Sequence, residues 1–275
     1  MGRILFCVVF AVLACGCRWK APPHVPGATP ATEDGFKLPE AASGNPVENA
    51  TENDVLLNVS SVGDVLPPND GPSDSRPLGS LTEVEDFLRR RADTERMQTS
   101  KEKPEGVPIL RIDRNTPFER AYPVLRACRL AGYEKYQLRV VRSSAEVQIS
   151  LTFEPGEPAH DPFAEPPKQY AVKVTADESG HITSLNLREY GAIDEESENI
   201  AGDLATYQKK LTAITTHEKK RSALAETKGS KIPPPVLTIE LPDRLLHGSV
   251  VELLDMALQA GFANVWLVPI DPTKR

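Results

Sequence analysis

Residues 107–141 and 236–270 carry one pattern twice, aligned without a gap at an offset of 129 positions. The first copy reads VPILRID, then PFERAYPVLRACRLAGY, then EKYQLRV; the second reads VLTIELP, then GSVVELLDMALQAGF, then ANVWLVP. Leu110 falls opposite Ile239, Ile112 opposite Leu241, Val124 and Leu125 opposite Leu253 and Leu254, and Cys128 opposite Ala257. Ala131-Gly132-Tyr133 matches Ala260-Gly261-Phe262. A unit written twice must fold twice by the same rules, so each copy limits what the other can be.

Each copy predicts strand, helix, strand. Leu237, Ile239 and Leu241 alternate with Thr238 and Glu240, the period of a strand with one buried face. Val250, Leu253, Leu254, Ala257 and Leu258 then recur at helical spacing and form one apolar stripe. Ser249 with Glu252, and Thr116 with Pro117 and Glu119, have the spacing of capping boxes, with proline at the first helical position of the earlier helix. Gly132 and Gly261 supply left-handed stops. Pro123 lies inside the first of these helices, where its missing N–H and ring clash predict a kink or a split.

The flanking segments repeat as well. Residues 54–60 and 65–66 alternate around Val62-Gly63-Asp64 as a hairpin, and a helix capped by Ser80 and Glu83 follows with Val84, Phe87 and Leu88 on its inner face. In the second half, residues 171–175 and 182–187 form a hairpin around Asp177-Glu178-Ser179-Gly180. A long polar helix is expected from about residue 195 to 227, with Ile200, Leu204, Tyr207, Leu211 and Ile214 at 3–4 residue spacing. Residues 147–153 alternate and extend the first sheet. The expected fold is α+β: two tandem small domains, each hairpin, helix, strand, helix, strand, packed as a two-layer α/β sandwich. The boundaries are 38–153 and 168–270, joined by the Pro-rich residues 154–167 and followed by a tail at 271–275.

The amino terminus differs in kind. Arg3 precedes an apolar run from Ile4 to Ala14, too short for the ~20 residues of a spanning helix, so residues 1–17 read as a secretory signal. Val12-Leu13-Ala14-Cys15 and Ala14-Cys15-Gly16-Cys17 both resemble the lipobox of bacterial lipoproteins, which makes Cys15 and Cys17 the candidate lipidation sites; a plain cleaved signal or a short anchor is the alternative. Residues 18–37, rich in Pro, Ala, Gly and Thr, read as a linker without order of its own. Cys128 is the lone cysteine of the two domains and reads as a small buried side chain. With a net charge of −7 and no sustained basic stripe, the chain is not expected to bind nucleic acid.

With these elements laid out, residues 38–141 and 168–270 each resemble a periplasmic domain of the ExbD/TolR family, the biopolymer-transport proteins of bacterial envelopes. The resemblance rests on Arg111-Ile112-Asp113, Pro117-Phe118 and Arg129-Leu130-Ala131-Gly132 in the first copy. In the second it rests on Gly248, Val250, Val251, Glu252, Asp255, Ala260, Gly261, Val265 and Leu267. Leu38-Pro39-Glu40-Ala41 is similar to the sequence that follows the family's membrane helix. The family's transmembrane helix carries an aspartate used in proton-coupled work; the apolar run here has no acidic residue, so that role does not carry over. The resemblance also implies pairing of domains, which a tandem duplicate could form within one chain or by forming a homodimer.

Asp113, at the end of a strand and before a helix, is where a catalytic carboxylate would sit, but also where an acid caps a helix dipole, the commoner use. Its counterpart is Pro242. His247 matches Phe118 and reads as a packing position; His24, His160, His181 and His217 show no metal-ligand spacing. No catalytic, cofactor or metal site is therefore expected. The sequence points to a non-enzymatic, lipid-anchored envelope protein, exported to the periplasm, that binds an envelope protein or cell-wall component. The alternatives are a membrane-anchored subunit of a proton-driven ExbB/ExbD-type motor, and an enzyme with a site near Asp113.

Overall fold

A computed structural model describes residues 36–48, 50–67, 77–153, 166–190, 198–227, 230 and 232–270. The signal segment with Cys15 and Cys17, most of the 18–37 linker, most of the Pro-rich joint and the 271–275 tail lie outside the described residues, as do His24 and His160. The first half contains β1 (Asn45–Pro46), β2 (Val55–Val59), β3 (Val65–Leu66), α1 (Leu81–Thr99), β4 (Pro108–Ile112), α2 (Phe118–Leu130), β5 (Lys135–Arg142) and β6 (Ala145–Thr152). The second contains β7 (Gln169–Ala176), β8 (Ile182–Glu189), β9 (Glu198–Ile200), α3 (Leu204–Glu226), β10 (Val236–Leu241), α4 (His247–Ala260) and β11 (Asn264–Pro269).

The two sheets have one core topology. Sheet one runs β1-β6-β5-β4-β2-β3 and sheet two runs β11-β10-β7-β8-β9. In each, the first long strand pairs antiparallel with its hairpin partner and parallel with the strand after the helix, and that strand pairs parallel with the last strand of the repeat. Register keeps the inward residues together: Leu57 lies beside Leu110, and Val172 beside Ile239, which lies beside Leu267. All of these inward residues are buried. The fold is thus the α+β pair of two-layer lobes, and the buried residues of both lobes form one continuous cluster. Fully burying a Leu or Val side chain contributes roughly 1.5–3 kcal/mol, so packing shared between the lobes is expected to couple their stabilities.

Several expectations are corrected. The polar helix of the second half begins at Leu204, and Ile200 belongs to β9, paired with Leu185. Gly202 takes φ +67, which ends the strand, and Asp203 caps the helix by accepting from Ala205 N–H. Both expected capping boxes at α2 and α4 are absent: Pro117 and Leu246 are the N-cap residues, with no side-chain cap, so Pro117 stands before the first turn and Ser249 inside its helix. Helix α2 is continuous through Pro123, so of the two expected outcomes, a kink or a split, the split does not occur. Buried Ala121, Val124 and Leu125 around the proline hold that turn against the core. Ser80 does cap α1, accepting from Glu83 N–H, while the Glu83 carboxylate accepts from Gly79 N–H.

Candidate functional site

The missing caps lead to the seam between the lobes. An α-helix starts with N–H groups that have no partner inside it. At α2, Phe118 N–H donates to Leu245 O and Glu119 N–H to Asp243 O, each at 2.8 Å. At α4, His247 N–H donates to Thr116 O and Gly248 N–H to Arg114 O, each at 2.8 Å. Shifting any of these numbers by the repeat offset converts one set into the other. The bonds are therefore reciprocal, the signature of a twofold contact made inside one chain, with Pro117 paired antiparallel to Leu246 on its axis. The hydroxyl of Thr116, expected to cap α2, instead donates to Ser60 O at 3.0 Å.

Side chains close the same region. Phe118 is 1% exposed and His247 is 2% exposed, matched positions packed at the two helix starts. Burial pushes the His247 imidazole down to about 3, so it is neutral at ordinary pH. Burial likewise raises the Cys128 thiol, which is fully enclosed and held from reactivity.

Asp113 holds the loop before α2, while the Phe118 and Glu119 N–H groups that open the helix go to the opposite lobe. Its Oδ2 accepts from Lys37 N–H at 2.6 Å and its Oδ1 from Asn115 N–H at 2.8 Å, in a side chain buried to 1% exposure. The turn it begins, with Thr116 N–H on Asp113 O, recurs as Leu245 N–H on Pro242 O, so the turn does not require the acid. What the acid adds is a hold on the arm formed by residues 37–46. That arm continues by pairing with Val141 through the Pro39 carbonyl and Ala41 N–H, then crosses to the other lobe. There Asp255 on α4 accepts from Ala42 N–H at 2.9 Å and Ser43 N–H at 2.6 Å, and is itself held by Gln259. The arm ends as β1 against β6. Sequence reasoning singles out Asp113 and Asp255 but misses this shared task, because the arm has no periodicity to reveal its path.

Asp113→Ala is expected to cost about 2 kcal/mol, since two N–H groups lose a charged acceptor. Asp113→Asn, which retains an acceptor oxygen, should cost less. Urea midpoints at unchanged slope measure both; equal midpoints for wild type and Asp113→Ala would remove the arm from the stabilising contacts.

Other acids serve structure in the same way. Buried Glu95 accepts from Gly106 N–H, and buried Glu218 accepts from Tyr170 Oη and pairs with Arg221 at 3.0 Å. His181 sits exposed beside Asp177, and His217 beside Glu218. Among the described residues no group of three or more His, Cys, Asp or Glu is placed to hold a metal ion. Among the same residues no helix is long and apolar enough to cross a membrane. No protein-family model matches the chain, and no curated protein matches it.

Proposed function

We propose that the chain is a non-enzymatic envelope lipoprotein whose paired lobes form a docking module, related to the periplasmic part of ExbD/TolR proteins. The reciprocal seam carries this reading. In open α/β layers, chemistry sits where strand ends meet helix starts, because free N–H groups and a helix dipole converge there. Here those N–H groups at α2 and α4 are taken by carbonyls of the opposite lobe, and both oxygens of Asp113 are taken by backbone donors. A partner would therefore be met by the surface outside this seam. The family's pairing of domains would be met within one chain, and lipid on Cys15 or Cys17 would tether the module through the linker and the arm.

Replacing Cys15 and Cys17 together with Ser is expected to abolish labelling by a palmitate analogue and move the protein from the membrane fraction to the soluble one. The single replacements identify which cysteine carries the lipid. Crosslinking in cells followed by pull-down of the tagged chain is expected to recover an envelope protein or cell-wall fragment. Unlabelled protein recovered from the cytosol would overturn the reading, and a copurifying polytopic proton-conducting partner would replace it with the motor-subunit alternative.

A further inference from the structure

A pocket of about 270 Å³ lies where α2, the start of β5 and the end of β6 meet β11 of the other lobe. Its apolar wall is made by Tyr122, Leu125, Phe153 and Trp266, and the residues lining it include two arginines, Arg126 and Arg129, and no acid. Trp266 alternates with buried Val265 and Leu267 along β11, so strand geometry turns it away from the second core and toward this pocket. Tyr136 and Phe153, both lining it, stack with centroids 4.6 Å apart.

The internal repeat supplies a comparison. Tyr122, Leu125 and Arg126 on α2 correspond to Val251, Leu254 and Asp255 on α4. On α4 the apolar pair is fully buried and the acid is occupied by two N–H groups of the arm. On α2 the same helix face is lined by a half-buried tyrosine and an exposed arginine beside open volume. The charge at the matched position is reversed, from one that takes N–H donors to one that takes acceptors.

We propose that this pocket binds a small amphipathic carboxylate. Its flat apolar body would pack against Tyr122, Phe153 and Trp266, and its carboxylate would pair with the Arg126 guanidinium. Arginine's planar fork matches a carboxylate through two parallel hydrogen bonds. Aromatic walls with a few placed charges are the usual make of a small-ligand site, and this volume, just under the usual range, suits only a small ligand. The proposal stands apart from the docking role, since it requires neither the lipid anchor nor a macromolecular partner.

The test uses the full chain with Trp19→Phe, which leaves Trp266 as the reporting indole. It is titrated with 3-phenylpropionate and with the uncharged 3-phenylpropionamide. A saturable change in Trp266 fluorescence with the acid is expected, with the amide weaker by roughly tenfold or more. Arg126→Gln should weaken the acid by a similar factor and leave the melting temperature unchanged, because Arg126 is exposed. Arg126→Lys should recover part of the loss. No saturable change through the millimolar range would overturn the proposal. Equal binding of acid and amide, or wild-type binding by Arg126→Gln, would do the same.

Discussion

Lowering the pH from 6.5 toward 3 is expected to cost the wild-type chain about 1.4 kcal/mol per pH unit more than it costs His247→Phe. The imidazole is buried and its folded-state pKa lies at about 3, against an ordinary value of 6.5. Above 6.5 both folded and unfolded chains hold it neutral, and its contribution to stability is complete. Below 6.5 the unfolded chain takes up a proton that the folded chain refuses, so stability falls until the folded pKa is reached. Across the whole interval the loss approaches about 5 kcal/mol, a large share of the 5–15 kcal/mol that holds a typical domain. Phenylalanine suits the position because the matched site in the other lobe already holds Phe118. Urea unfolding of both proteins across this interval gives the difference directly and cancels the carboxylates they share. Parallel stability profiles would mean that His247 is protonated within the fold.

The duplicated strand–helix–strand units are legible in the sequence because their signals are local: alternation for a strand, a stripe at helical spacing for a helix. The same holds for the hairpin around Asp177 and for the Ser80 cap, whose donors and acceptors lie within a few residues. The seam is hidden for the opposite reason. Thr116 with Glu119 and Ser249 with Glu252 have the spacing of self-contained caps, yet the donors of these helices find carbonyls about one repeat length away. A tertiary acceptor of good geometry displaces a local one without leaving a mark in the local pattern. The start of α3 is ambiguous in the sequence because Ile200 fits the stripe of that helix as well as it fits β9. Gly202 and Asp203 are the signal that separates the two, a left-handed stop and a cap in the right order. The arm from Lys37 to Pro46 leaves no such signal, since it is held by main-chain groups on scattered partners.

Phe118→Ala is expected to destabilise the chain by about 3–5 kcal/mol and to weaken both lobes together. The ring is 1% exposed, lies 5.4 Å from the Tyr122 ring, and begins the helix whose N–H groups bind the opposite lobe. Truncation would remove its dispersion contacts and leave a cavity that the reciprocal hydrogen bonds prevent from collapsing. Because the buried residues of both lobes are continuous, the loss should not remain in the first lobe. Trp266 on β11 reports the side of the second lobe that faces the first once Trp19 is replaced by Phe, and far-ultraviolet circular dichroism reports both lobes. In a cooperative fold the two signals share one midpoint in wild type, and Phe118→Ala shifts them by the same amount. A Trp266 transition that stays in place while the dichroism splits into two steps would show lobes that merely touch. The reciprocal capping of α2 and α4 would then be a consequence of two independent folds meeting, instead of a condition for either to form.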